Sequence, residues 1–150
     1  MAENNMKARF TAPEAKVLVV DDLPANIRIV KELMSPCGVK TFVSLSGEKA
    51  IELIQKDTFD LVFMDQMMPE MDGMETISRI RALAENGGDK SGYYRTLPIV
   101  LLTANAVTET KEELDRLGIN GYITKPINPA RLFDTIEKLL PPEKITASTK

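Results

Sequence analysis

Three aspartates, one threonine and one lysine carry the chemistry open to this sequence. Asp21 and Asp22 follow the apolar run VLVV (17–20), Asp65 follows LVFM (61–64), Thr103 follows PIVLL (98–102) and Lys125 follows GYIT (121–124). Taken alone, Asp21-Asp22 ahead of Leu23-Pro24 reads more readily as a turn or helix cap than as a metal site. The third carboxylate changes that balance. Two carboxylates about 4 Å apart repel by roughly 4 kcal/mol at an effective dielectric near 20, so three converging aspartates call for a cation or a proton. Hard oxygen ligands without thiolate or imidazole favour Mg2+, which keeps waters and completes its shell with phosphate oxygens. A carboxylate screened by such an ion can attack phosphorus and form an acyl phosphate, and Asp65, alone at its strand end, is the candidate nucleophile. Thr103 offers a hydroxyl and Lys125 a compact positive charge to the incoming oxygens, although either residue singly is an ordinary solvated side chain.

Other chemistries are excluded by composition. The chain has no histidine and a single cysteine, Cys37, so His-based triads, the usual zinc sites and an internal disulfide are absent, and Cys37 reads as a small packing residue. Met64, Met67, Met68, Met71 and Met74 could hint at a soft copper site, but their spacing fits core and loop positions better. A formal charge of −3 gives no basic field for nucleic acid or an anionic membrane. No run approaches the roughly 20 apolar residues of a membrane span and MAENNMKARF lacks a secretory core, so a cytoplasmic protein without membrane contact is expected.

The positioning of these side chains rests on alternating elements. The runs VLVV, VKTFVSL (39–45), LVFM, PIVLL and INGYI (119–123) are near-continuous and apolar, the pattern of strands covered on both faces of a parallel sheet. Between them apolar residues recur at helical spacing, as in Ile27, Val30 and Met34, then Ala50, Leu53 and Ile54, then Met74, Ile77, Arg81 and Ala84. Pro24, Ser46, Asp72, Thr110 with Glu113, and Asn128 with Pro129 mark helix starts, and Gly118 a helix end. The result is an α/β fold, a flavodoxin-like (βα)5 three-layer sandwich with a five-stranded parallel sheet of order 2-1-3-4-5. In that order all five chemical residues share one rim, and the aspartates flank the switch point where ligands bind. Residues 1–14 and 141–150 read as flexible tails around a domain at 15–140, and ENGGDKSGYYRT (85–96) as a glycine-containing connection, more readily a surface insertion than a partner-contact loop.

In order along the chain, VLVVDD, FMDQMMPEMDG, LLTA and ITKP resemble the receiver domain of two-component response regulators, from Lys16 to about Leu140. DQMMPEMDGMETI and LLTANA are most similar to receivers of hybrid histidine kinases. The resemblance implies a phosphorylation-dependent switch of a phosphorelay, not an enzyme acting on an external substrate. Asp65 would take phosphate from a histidine kinase or histidine phosphotransfer protein, with Mg2+ held directly by Asp22 and Asp65, through water by Asp21, and by the Met67 backbone carbonyl. Thr103 would follow the phosphoryl group and Tyr122 change rotamer with it, though a tyrosine there fits ordinary strand packing equally well. Lys125 would pair with the phosphate, and the Lys125-Pro126 bond would be cis. Met67 and Asn105 occupy the positions that tune phosphoryl lifetime in receivers. Output would pass through the helix 4/strand 5 face to a downstream protein or a covalently attached module.

Two other classes compete. An aspartyl-nucleophile, metal-dependent phosphatase of the haloacid dehalogenase type needs a second aspartate where Met67 stands. A flavodoxin-like binding module needs a phosphate cradle after Val20, where an acidic pair would repel flavin phosphate.

Overall fold

The computed structural model describes residues 10–104 and 108–147. Its main sheet has five parallel strands: β2 (Lys16–Val20), β3 (Lys40–Ser44), β4 (Leu61–Asp65), β5 (Ile99–Thr103) and β6 (Gly121–Thr124). They lie in the order β3-β2-β4-β5-β6. This is the expected 2-1-3-4-5 arrangement, shifted in label by a short leading strand, β1 (Phe10–Thr11).

The alternation of side chains in each strand divides the core in two. Val17, Val19, Phe63 and Leu102 face α1 (Pro24–Met34) and α6 (Pro129–Leu139), while Leu18, Val20, Met64 and Leu101 face α2 (Gly47–Lys56), α3 (Gly73–Ala82) and α5 (Lys111–Arg116). Helices on both sides explain why β2, β4 and β5 read as unbroken apolar runs. β3 departs from that expectation: it is an edge strand, and Phe42 and Val43 remain exposed.

The helix starts agree with the sequence. Pro24 and Pro129 open their helices, Ser46 accepts from the Lys49 amide, Asp72 accepts from the Glu75 amide, and Thr110 with Glu113 forms a capping box. Gly118, at φ +82°, ends α5 in the left-handed conformation that glycine adopts without penalty.

Two segments differ from expectation. The 85–96 stretch is not an open connection: 3-10 turns at Leu83–Asn86 and Gly88–Lys90 lead into a short helix, α4 (Ser91–Thr96). Tyr94 is buried, and the Tyr93 hydroxyl accepts from the Phe59 amide, which fastens the segment to the connection between α2 and β4. At the termini, β1 pairs antiparallel with β7 (Thr146–Ala147), and Phe10, Ala12 and Ala15 join the core. The described parts of the expected tails therefore pack against the domain, because an apolar Phe10 can reach the cluster of Met34, Ile136 and Leu140.

Candidate functional site

Each reactive residue stands at the carboxyl end of a strand, where the chain leaves the sheet. Asp65 and Thr103 are the last residues of β4 and β5, Asp21 and Asp22 follow β2, and Lys125 follows β6. Register brings them level, since Val20 pairs with Met64, Asp65 with Leu102, and Thr103 with Thr124.

Asp21, Asp22 and Asp65 each offer a carboxylate oxygen within 4.8 Å of the others, a group able to hold a metal ion. Asp21 and Asp65 are buried, and Asp22 is half-exposed. The Lys125 amine donates to Asp65 Oδ1 at 2.7 Å and lies 3.7 Å from Asp21 Oδ2. Asp21 Oδ1 also accepts from the Leu23 amide at 2.9 Å, which fixes its orientation. Burial pushes the Asp65 carboxyl above its usual value, the Lys125 hydrogen bond pulls the other way, and the charges of Asp21 and Asp22 add to the rise. A dication among the three carboxylates would remove that repulsion, so the donor set fits a hard, oxygen-seeking ion such as Mg2+.

Thr103 is buried, and its hydroxyl donates to Gln66 Oε1 at 2.5 Å. Gln66 was not singled out in the sequence; its signal is its position directly after the acceptor strand. Gly73 entered the sequence reading only as the last residue of FMDQMMPEMDG. Its amide donates to the Gln66 carbonyl at 2.9 Å, and a β-carbon there would lie 2.3 Å from the Asp65 carbonyl oxygen. The start of α3 therefore presses on the backbone of the acceptor strand.

Met67 is exposed on the loop beyond Asp65, and Asn105 lies outside the described residues. Lys125-Pro126 is cis. Tyr122 is half-buried on β6, level with Leu101 and packed against the side of the core that α2, α3 and α5 cover. The Arg131 guanidinium lies 5.5 Å from its ring centre and donates to its carbonyl at 3.0 Å. A groove of about 550 Å3 runs beside it between α5 and α6.

Comparison with known proteins gives a consistent set of likenesses. The family model for the response regulator receiver domain matches residues 17–137. Sensor protein GacS of Pseudomonas syringae pv. syringae is 38% identical over 123 residues, which are 82% of this chain but only 13% of that protein. The receiver domain of sensor histidine kinase PA1611 from Pseudomonas aeruginosa PAO1, solved with magnesium coordinated in its active-site cleft, is 26% identical with a TM-score of 0.69, over 83% of this chain and 96% of that one. A chain in the co-crystal of the Saccharomyces cerevisiae phosphotransfer protein Ypd1 with the receiver domain of Ssk1 is 27% identical with a TM-score of 0.75, over 89% and 94%.

Proposed function

Because the chain belongs to the response regulator receiver domain family, we propose that Asp65 is its phosphoacceptor in a two-component phosphorelay. The observation that carries this reading is the convergence of three carboxylates within 4.8 Å with a lysine 2.7 Å from one of them. Asp21, Asp22 and Asp65, with the Met67 backbone carbonyl, would hold Mg2+. The ion supplies charge neutralisation at the transferring phosphoryl group.

The rest is done by the chain. Asp65 attacks phosphorus as the nitrogen–phosphorus bond of a phosphohistidine donor breaks and the imidazole leaves with the electron pair. Lys125, already against Asp65, is in reach of the new phosphoryl oxygens, and Thr103 exchanges Gln66 for one of them. Turnover is confined to the domain's own phosphorylation and dephosphorylation. The α5 and β6 surface, the helix 4/strand 5 face of the sequence reading, then shifts in population and is read by a downstream partner or attached module.

A protein donor is supported by exposed Leu23, Leu45 and Met67, which stand on the loops after β2, β3 and β4 and rim the acidic group with apolar surface. A histidine kinase or histidine phosphotransfer protein fits that rim. The reading takes residues 15–140 as the signalling core, closed by the β1–β7 pair, and puts it in the cytoplasm with its phosphohistidine donor; no described helix is long and apolar enough to cross a membrane.

Incubation with acetyl phosphate and Mg2+ should label one site per chain, with loss of the label in Asp65→Asn and on chelation. Labelling that survives Asp65→Asn would sink the assignment, and repeated turnover of a phosphomonoester would point to the phosphatase class.

A further inference from the structure

Arg81 lies on the α3 stripe that otherwise carries apolar residues, and its guanidinium is half-buried with no carboxylate partner among the described residues. Its partners are backbone and amide oxygens. Nε and Nη2 donate to the Gly118 carbonyl at 3.1 and 2.6 Å, Nη1 to the Tyr94 carbonyl at 2.9 Å, and Nη2 to Asn120 Oδ1 at 3.1 Å. The same Asn120 oxygen accepts from the Ile99 amide at 2.9 Å, at the start of β5. One side chain thus joins α3, the α4 segment, the end of α5 and the central sheet. Such a fork, matched by converging carbonyls, is a fixed joint, because five donors in a rigid plane allow few alternative placements.

The two ends of α5 are held very differently. Its single buried residue is Leu114, and its N-terminal end carries an exposed capping box beyond Thr103 and Ala104. Its C-terminal end closes with Gly118 N–H on Asp115 and Ile119 N–H on Leu114, and the Gly118 carbonyl takes two donors from Arg81. A β-carbon at Gly118 would meet the Arg81 side chain at 2.8 Å, so the arm lies directly on the helix end.

We propose that Arg81 pins the C-terminal end of α5, so that events at the acceptor reach this helix as a rotation about Gly118 and not as a shift of the whole helix. The proposal rests on the phosphoacceptor reading. Hinges are residues at element ends that absorb the backbone change, and the glycine pinned by a fork supplies one. Arg81 acts here as a positioning residue, remote from the phosphoryl group.

Backbone amide shifts of the full chain, with and without beryllofluoride and Mg2+ as a stable phosphoryl stand-in, test it. In the wild-type protein the ligand should shift amides from Thr108 to Gly118, where the rotation is absorbed, and leave Ile119 and Asn120 in place. In Arg81→Met, with β2 and β4 amides unchanged as the check of folding, ligand-induced shifts should spread through Ile119 and Asn120. Arg81→Lys keeps the charge but loses the fork, and should spread them too; it stands in if the methionine variant does not fold. A purely structural arginine would leave the boundary of the induced shifts unmoved, and that result overturns the proposal. So does a wild-type response that already runs through Asn120. A wild-type protein with no response at Asp65 overturns the acceptor reading, and the hinge with it.

Discussion

A methyl group on residue 73 has nowhere to go, since it would sit 2.3 Å from the Asp65 carbonyl oxygen. That oxygen belongs to strand backbone and cannot rotate aside, so Gly73→Ala is expected to cost about 1–3 kcal/mol, as overpacked contacts do. The strain falls on the residue that carries the acceptor, so Mg2+ affinity should fall together with the denaturation midpoint; a metal titration beside a urea curve checks both. Met67 offers a second test. Its thioether is a poor hydrogen-bonding partner for an attacking water, so the phosphorylated protein should lose its label faster in Met67→Asn, and an unchanged decay rate would count against this role. At this scale the acidic trio and Lys125 were legible because each stands where an apolar run stops. The Thr103–Gln66 contact was not, since a polar residue in a turn has no period to betray its direction. Arg81 fell between: its spacing with Met74 and Ile77 placed it on the inward face, but nothing in the sequence says that its partners are carbonyls.

The α4 segment shows how an element is misread when its glycines outweigh its tyrosines. Glycine content suggested an open connection, whereas Tyr94 is buried and the Lys90 amine donates to the Gln55 carbonyl at 2.7 Å, at the end of α2. Burial and packing set the conformation here over local propensity, as tertiary contacts often do. Tyr93 makes this measurable. Its hydroxyl accepts from the Phe59 amide at 2.9 Å and donates to the Asp57 carbonyl at 3.3 Å, and burial pushes its pKa from 10.0 up to about 12. A folded pKa above the unfolded value means that the native state holds the proton more tightly. Its contribution is therefore full below pH 10 and is lost as pH rises towards about 12. Tyr93→Phe should lose about 1–3 kcal/mol at neutral pH by leaving the Phe59 amide without its partner. The variant should also lack the Tyr93 share of the alkaline fall in stability, which denaturation curves across that range would resolve. The five strands of the main sheet and the long helices, by contrast, were legible, because each spans enough residues for its pattern to show.

At the scale of the whole molecule the folded unit runs past the ends that polarity assigns to it. The antiparallel pair of β1 and β7 lies at the amino-terminal edge of the main sheet, where the Ala12 amide donates to the Cys37 carbonyl at 2.7 Å and Lys144 reaches Asp60 at 2.9 Å. Asp60 also accepts from the Lys16 amide at 2.8 Å, so one carboxylate ties the C-terminal turn to the start of β2. Two-residue strands carry no readable period, and a lone Phe10 among polar neighbours gives no stripe, which is why this closure was invisible in the sequence. The anchor is nonetheless apolar: Phe10 is fully buried in the core cluster that also holds Met34, Ile136 and Leu140. Phe10→Ala should cost about 3–5 kcal/mol, the range for emptying an aromatic site in a core. The acidic trio stands at the opposite, carboxyl-terminal edge, and sites so separated with no shared partners behave additively. The variant should melt at a lower temperature while its Mg2+ affinity below the transition stays that of the wild type. A parallel loss of metal affinity would mean that the terminal strand pair and the acceptor edge are one cooperative structure, with strain passing through the length of β2 and β4.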